Sequence, residues 1–313
     1  MKSEKNRTIE LTDKEYKLYL SHCLMPPNKS LVVNDVINKT FYGSMENVVP
    51  FLPAQFVDLM IADPPYNLTK TYNNNMFAKM TDDEYVQFTD NWLTETSRLL
   101  KPNASLYVCC DWKCSDLIEF VLKKKFNILN RITWQREKGR GAFNNWKNNM
   151  EDIWFCSVSK DYIFNVDDVK IRKRVIAPYE IQGRSETWEK TKEGKFRDTY
   201  PSNFWDDISV PFWSMPENTE HPTQKSEKLI AKLILASSNK GDIVFDPFLG
   251  SGTTSVTAKK LGRNYLGIEQ EDKYCALAEK RLAMADTDKV IQGYADGVFW
   301  ERNTTEYQKR YNK

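Results

Sequence analysis

Histidine is nearly absent: the 313 residues hold only two, His22 and His221. Cys109, Cys110 and Cys114 lie close together, but no second cysteine pair follows at zinc-site spacing. These shortages argue against a metal centre. They read the six cysteines (Cys23, Cys109, Cys110, Cys114, Cys156 and Cys275) as structural thiols, with no disulfide framework. No run approaches the roughly 20 apolar residues of a membrane span. Residues 1–7 are polar and lack the apolar centre of a secretion signal. The expectation is a soluble, reduced, cytoplasmic protein. Charge of one sign is not in excess either, since 45 Lys+Arg face 43 Asp+Glu. That balance excludes a simple polycationic binder but leaves room for a local basic face. No internal repeat is visible. The length suits one large domain, or one domain with a sizeable insertion.

What is present is an alternation of strands and helices. Apolar runs and helical spacing predict a helix over 13–20, a strand over 57–62 and a helix over 82–100 that ends at Lys101-Pro102. A strand at 105–109, a helix at 114–124 and strands at 128–134 and 153–158 follow. The pattern then breaks: residues 160–220 carry short strands at best and no clear helix. Order returns with helices over 226–237, 253–261 and 271–284 and strands over 243–245 and 265–268. Alternation on both sides of an irregular block predicts a doubly wound α/β sheet with an insertion, Rossmann-like, mixed and mostly parallel. The expected organisation is an extension (1–34), a first half of the core (35–159), the insertion (160–220), a second half (221–300) and a polar tail (301–313).

Two strand ends carry the chemistry. The first strand runs into Asp63-Pro64-Pro65-Tyr66-Asn67-Leu68. A proline pair cannot continue a ladder, so the chain turns where open α/β sheets bind ligands. Taken alone, this is equally a proline-rich turn with a capping Asp. The second is Ile243-Val244-Phe245-Asp246-Pro247-Phe248-Leu249-Gly250-Ser251-Gly252-Thr253-Thr254, a strand entering a Gly-rich turn that opens a helix. Gly250 and Gly252 let backbone approach a ligand. The spacing is not that of a dinucleotide fingerprint, and no Lys follows the glycines as in a P-loop. Glu269 ends the next strand, where a carboxylate can accept from both ribose hydroxyls; it suits equally the cap of the following helix. A Gly-rich turn and a ribose acid without phosphate machinery fit an adenosyl cofactor lacking pyrophosphate, S-adenosyl-L-methionine first among them.

The two motifs together resemble those of the S-adenosylmethionine-dependent DNA amino-methyltransferases, and His221-Pro222-Thr223-Gln224-Lys225 before a helix agrees. The order (catalytic motif, insertion, His-Pro-Thr-Gln-Lys, cofactor motif) resembles that of the beta group, a circular permutation of the common methyltransferase fold. Residues 135–142, 145–148 and 211–218 resemble the RsrI-type adenine methyltransferases of restriction–modification systems. The resemblance covers roughly residues 40–284. Two positions depart from it: Ser226 stands where Pro usually follows the Lys, and Gly43-Ser44 where many members have Gly-Asp.

The resemblance implies duplex DNA as substrate, base flipping, and a cognate restriction endonuclease acting separately, with GAATTC as the target it suggests. It implies Asp63, Pro64, Pro65 and Tyr66 as the catalytic residues. An exocyclic amino nitrogen is a poor nucleophile because its lone pair is delocalised into the ring. Acceptors for both its hydrogens, the Asp63 carboxylate and the Pro64 carbonyl, restore nucleophilicity, while Tyr66 stacks on the base. Asp246, Pro247, Phe248, Gly250, Ser251, Gly252, Thr253 and Glu269 would hold the cofactor. Thr223 and Lys225, after His221, would meet its methionine carboxylate, and Asp246 its ammonium; Thr223 also suits a helix N-cap. Asp rather than Ser at the first catalytic position favours adenine N6 over cytosine N4 by the same resemblance. No cysteine is read as a nucleophile.

DNA contacts are expected from Arg136, Lys138, Arg140, Asn145 and Lys147 and from Arg172, Lys173 and Arg174, which suit phosphates and base edges. Residues 160–220 form the expected target-recognition region, and 72–76 are expected to close over the flipped base. Six of the nine tryptophans (Trp134, Trp146, Trp154, Trp188, Trp205 and Trp213) fall within 131–220, where they pack a region with little regular structure. The competing functions are a cytosine-N4 DNA methyltransferase, an RNA or protein-glutamine methyltransferase, and a non-enzymatic DNA-binding protein on the same fold.

Overall fold

The computed structural model describes residues 3–68, 70–72, 75–77, 79–136, 143–175, 188–191, 194–302 and 304. Helices α1 (Asp13–Leu20) and α2 (Val33–Val36) precede β1 (Lys39–Tyr42), α3 (Met45–Val48) and β2 (Val57–Ala62). Next come β3 (Lys70–Tyr72), β4 (Asn75–Phe77), α4 (Asp82–Ser97), β5 (Leu100–Asp111), α5 (Ser115–Lys125), β6 (Asn127–Gln135) and β7 (Met150–Ser157). The insertion holds β8 (Ile171–Arg174), β9 (Glu189–Thr191), β10 (Gly194–Thr199) and β11 (Phe204–Trp205). The chain continues through α6 (Glu227–Ser237), β12 (Ile243–Asp246), α7 (Thr253–Lys260), β13 (Asn264–Glu269), α8 (Asp272–Met284), β14 (Tyr294–Ala295) and β15 (Val298–Trp300).

The central sheet has the order β1-β13-β12-β2-β5-β7-β6-β11. Its pairs are parallel except those made by β7, which runs against β5 and β6. β2 shows why both faces are covered. Its run alternates between two cores: Met60 and Ala62 join the side packed by α4 and α5, while Leu59 and Ile61 join the side packed by α6 and α7. From β2 the chain moves through α4 to β5, and from β12 through α7 to β13, in opposite directions along the sheet. The β2–β12 pair, with Val244 opposite Leu59 and Phe245 opposite Met60, is therefore the topological switch point.

Local signals explain most boundaries. A capping box starts α4: the Glu84 amide donates to Thr81 Oγ1 (3.3 Å) and the Thr81 amide to Glu84 Oε2 (2.8 Å). α4 stops at Ser97, short of the expected 100, because Leu100 already pairs with Val57 as the first residue of β5. Pro102 is accommodated where the β2–β5 register shifts, an irregularity of the kind that tolerates proline.

The insertion carries short strands, as read, but their partners were not foreseen. It is built around a second sheet, β14-β15-β8-β10-β9, in which the late strands β14 and β15 join the strands of the insertion. Phe299 pairs with Ile171 and Trp300 with Arg172. Residues 294–300, expected in the second half of the core, thus belong structurally with 160–220. This sheet covers α6, all of whose residues are buried. Two lysines on that helix are consequently enclosed. The Lys228 ammonium donates to Asp207 Oδ2 (2.7 Å), the Asp207 carbonyl (3.0 Å) and the Trp300 carbonyl (2.6 Å), clamping insertion, C-terminal strand and core together. The Lys232 ammonium lies 4.3 Å from the centre of the Trp205 ring. Burial pushes its pKa down to about 8 against the opposing pull of Asp207.

Trp300 is fully buried beside Phe196, with ring centres 5.6 Å apart. Trp300→Ala should therefore cost about 3–5 kcal/mol of stability. Urea denaturation checks this; a midpoint equal to that of the parent would mean that the second sheet does not depend on β15.

Candidate active site

At the carboxyl end of β2 the proline pair turns the chain, and three side-chain contacts hold the turn. Tyr85 Oη donates to the Pro65 carbonyl (3.0 Å). Asn67 bridges to Met80, donating to its carbonyl (3.0 Å) and accepting from its amide (2.8 Å). At the neighbouring end of β12, Asp246 accepts from the Phe248 amide (2.9 Å), and Phe248 stands edge-on to Trp92. The turn then uses two left-handed glycines, Gly250 (φ 55°) and Gly252 (φ 85°). A Cβ on Gly250 would lie 3.0 Å from His221 Nε2, and one on Gly252 would lie 2.6 Å from the Ala278 Cβ and 2.8 Å from its Cα.

Both strand ends open into one cavity of about 280 Å³. Asp63, Pro64, Pro65 and Tyr66 line it, as do Asp246, Pro247, Phe248, Gly250, Ser251, Thr253 and Glu269 and, from the third motif, His221, Thr223 and Lys225. Gly252 does not line it; its role is to let α7 start hard against α8. Glu269 ties the Gly-rich turn to the approach to α8, whose N-cap is Glu271. Its Oε1 accepts the Glu271 amide at the start of α8 (2.8 Å) and its Oε2 accepts the Gly250 amide (2.7 Å), while the carboxylate borders the cavity. Burial raises the pKa of Glu269 to about 7, and that of Asp246 to about 7 as well.

In the third motif, Gln224 is a brace, its amide donating to the Glu217 carbonyl (2.7 Å) and its oxygen accepting the Thr219 amide (2.9 Å). His221 stacks edge-on against Tyr274 (4.5 Å) under Gly250. The N-cap of α6 is Ser226 rather than Thr223, and its Oγ accepts the Leu229 amide (3.2 Å). The departure from Pro at this position thus exchanges a rigid first turn for a side-chain cap.

Lys225 departs from its expected place. Its ammonium is held by Asp63 Oδ2 (2.6 Å), Tyr66 Oη (3.1 Å) and Glu151 Oε2 (3.2 Å) rather than presented to a methionine carboxylate. Tyr66 Oη in turn donates to Asp63 Oδ1 (2.7 Å). Burial works against the charge on Lys225, but the two carboxylates overcome it and raise its pKa well above the ordinary lysine value. Burial also raises Tyr66 and Cys109, so neither ionises near neutrality. Glu151 escaped the sequence reading because β7 starts at Met150 rather than 153, which places the Glu151-Asp152 pair inside the sheet. A carboxylate pair abutting the apolar run that opens at Ile153 was the available signal. Gly43 and Ser44, the pair that departs from the resemblance, line the cavity too, as do Glu46 and Tyr274, which were not singled out.

The expected DNA contacts separate into groups. Asn145 and Lys147 are exposed, next to the exposed rings of Phe143 and Trp146. Arg136 instead turns inward, its Nη1 2.5 Å from Glu151 Oε1. Arg172 pairs through Nε and Nη2 with both oxygens of Asp198 (2.8 Å each), and Lys173 lies 3.7 Å from Glu301. These contacts, with Arg174 beside them on β8, place this basic group in the second sheet. Lys138 and Arg140 lie outside the described residues, as do Asn73 and Asn74 of the expected closing segment. Among the described residues no group of His, Cys, Asp and Glu could hold a metal, and no helix is long and apolar enough to cross a membrane.

Residues 57–280, from β2 into α8, match the DNA methylase family. The Type II methyltransferase M.HpaI of Haemophilus parainfluenzae is 33% identical over 72% of this chain and 68% of its own length. The DNA adenine methyltransferase YhdJ of Escherichia coli (strain K12) is 33% identical over 75% of this chain and 79% of its own. Among solved structures, the M1.HpyAVI–SAM complex superposes with a TM-score of 0.54 at 23% identity, over 80% of this chain and 99% of that one. The cytosine-N4-specific PvuII DNA methyltransferase gives 0.58 at 17%, over 82% and 92%. The two solved structures share the fold. The chain belongs to the DNA methylase family. It is a DNA methyltransferase.

Gly252 generates a prediction. Its left-handed φ and the 2.8 Å approach to Ala278 backbone leave no room for a methyl group. Gly252→Ala should cost roughly 1–3 kcal/mol, read from chemical denaturation. A variant as stable as the parent would show that α7 and α8 can part freely.

Proposed function

We propose that this enzyme moves a methyl group from S-adenosylmethionine to the N6 amino group of adenine in duplex DNA, with the base turned out of the helix. The observation that carries the reading is that Asp63, at the end of β2, and the Gly250 turn with Glu269 border the same cavity. The donor set fits that cofactor. Two buried carboxylates suit a ribose diol (Glu269) and an ammonium (Asp246), Thr223 offers a hydroxyl to a carboxylate, and Gly250 keeps the turn clear of side-chain bulk. The bound cofactor supplies an electrophilic methyl group on a sulfonium.

The protein's part is to hold the amino group. Asp63 accepts one of its hydrogens and the Pro64 carbonyl the other, so the nitrogen lone pair is freed from the ring. The fixed φ of Pro64 directs that carbonyl. Tyr66 borders the same space with its hydroxyl committed to Asp63, where its ring can stack on the base. Lys147 and Asn145 form the exposed part of the DNA-facing surface, with Arg172, Lys173 and Arg174 on the second sheet as its recognition side.

Adenine is favoured by Asp at the first catalytic position and by the similarity to YhdJ, named as an adenine methyltransferase. The relatives named as Type II methyltransferases support a place in a restriction–modification system, opposite an endonuclease acting as a separate protein. GAATTC is the first duplex to assay, on the strength of the RsrI-type resemblance, and the cytoplasm is the compartment that this substrate and six free thiols suit. The test is nucleoside mass analysis of duplex DNA treated with enzyme and S-adenosylmethionine. N6-methyladenine is expected; N4-methylcytosine in its place would overturn the reading. Asp63→Ala should lower that signal at least about 100-fold, equivalent to about 2.7 kcal/mol, with cofactor affinity retained.

Cofactor binding should depend on pH. With burial holding Asp246 and Glu269 near 7, both are largely protonated at pH 6 and ionised at pH 8. Only the ionised forms pair with an ammonium or accept from two hydroxyls. Affinity should therefore rise from pH 6 to 8, and binding at pH 7 should release protons, seen as a buffer-dependent heat in titration calorimetry. Glu269→Ala should weaken binding by about 1.5–3 kcal/mol and remove part of the proton release. An unchanged dissociation constant would reduce Glu269 to its role at the start of α8.

A further inference from the structure

Four charged side chains meet behind the catalytic turn, and they balance: Asp63 and Glu151 against Lys225 and Arg136. Glu151 is the most deeply placed, its side chain 4% exposed against 23% for Asp63. It stands at the start of β7, opposite Asp111 at the end of β5. Because β7 runs against its neighbours, its first residues reach the edge of the sheet where the parallel strands end. Burying such a cluster adds little stability, since desolvation offsets much of the attraction. Its geometry has a more specific use.

Both oxygens of Asp63 are engaged, Oδ1 by the Tyr66 hydroxyl and Oδ2 by the Lys225 ammonium. An amino group approaching Asp63 meets a carboxylate whose charge is already neutralised. Glu151 Oε2 lies within reach of the same two donors, 3.2 Å from the ammonium and 3.3 Å from the Tyr66 hydroxyl. Its other oxygen is fixed by Arg136. A small shift of two hydrogen-bond donors therefore frees Asp63 while the ammonium keeps a carboxylate partner, and no proton moves between residues.

We propose that Glu151 is a positioning residue that receives the Lys225 ammonium and the Tyr66 hydroxyl when Asp63 turns to the target base. The inference rests on the reading of Asp63 as the base-facing acceptor. In the resting arrangement Lys225 holds Asp63 in place. In the base-bound arrangement Glu151 holds Lys225. Without Glu151 the ammonium has no second carboxylate and stays on Asp63.

Three variants test this: Glu151→Gln, Lys225→Met, and the two combined. The single-turnover methylation rate is measured at saturating S-adenosylmethionine and saturating duplex DNA, alongside dissociation constants for both. Glu151→Gln should slow methyl transfer about 100-fold while the dissociation constants move less than threefold. Lys225→Met leaves two carboxylates facing each other and should also be slow. The combined variant restores charge balance and leaves Asp63 unclamped, so it should be at least tenfold faster than Glu151→Gln. A combined variant that loses the product of the two single effects would show that Glu151 acts independently of Lys225 and would overturn the proposal, as would a Glu151→Gln enzyme of unchanged rate. Should Glu151→Gln fail to bind cofactor through misfolding, the charge-balanced variant decides alone: it must be faster than Lys225→Met. A parent enzyme that methylates cytosine or nothing in DNA refutes the functional reading instead, and is seen before any variant is made.

Discussion

The pairing of β2 with β12 is the contact on which the rest of the structure depends. Two parallel strands lie side by side while the chain leaves them in opposite directions, through α4 on one side and α7 on the other. The helices that follow them, α4 and α7, both lead away from the gap between their carboxyl ends. A crevice is therefore a topological necessity there, not a product of any one side chain. The Asp-Pro-Pro-Tyr turn and the Gly250 turn fill its two rims. Every residue that the chemistry needs then has only to be short and correctly aimed.

Around this crevice the protein concentrates charge in places that other proteins keep apolar. Arg281 donates from Nη1 to the Ser251 carbonyl (2.8 Å) and to Thr253 Oγ1 (3.0 Å), and from Nη2 to Glu227 (3.0 Å). Glu227 also takes the Lys260 ammonium at 2.7 Å. Beneath it, Glu217 accepts the Glu227 amide, and its pKa is pushed up by burial and by the charge of Glu227. The Gly-rich turn thus rests on a network of fixed hydrogen bonds rather than on side-chain packing alone. Such networks specify position, because satisfying all of their donors and acceptors at once fixes the geometry. The turn is held from below by α8 and from the side by the start of α6.

The legible part of the chain was the part whose meaning is local. Thr12 and Glu15 form a capping box around α1, so its bounds could be read directly. The run from Val57 to Ala62 ends at a proline pair, and Gly252 marks where α7 begins. Cavity-lining residues named from the two motifs lie together because each motif is a strand end, and strand ends of one parallel sheet share an edge. Long-range pairing hid the remainder. Glu151 looked like loop because nothing local says that β7 begins at Met150 and runs antiparallel. Lys225 looked free because its partners, Asp63 and Glu151, come from two distant strands. Arg136 and Arg172 looked like phosphate ligands, yet each has a carboxylate placed against it by sheet register. Charge in a sequence reports potential, and only the fold assigns the partner.

The second sheet has a consequence for how the molecule holds together. β8 and β15 are neighbours in space but far apart in the chain, with the Gly-rich half of the core between them. Without Phe299 against Ile171, one edge of β8 is unpaired, and the buried ammonium of Lys228 loses the Trp300 carbonyl. The insertion is therefore not a self-contained unit. A graft of this sheet onto another scaffold has to carry two separated segments together, the insertion and the strand that finishes its sheet.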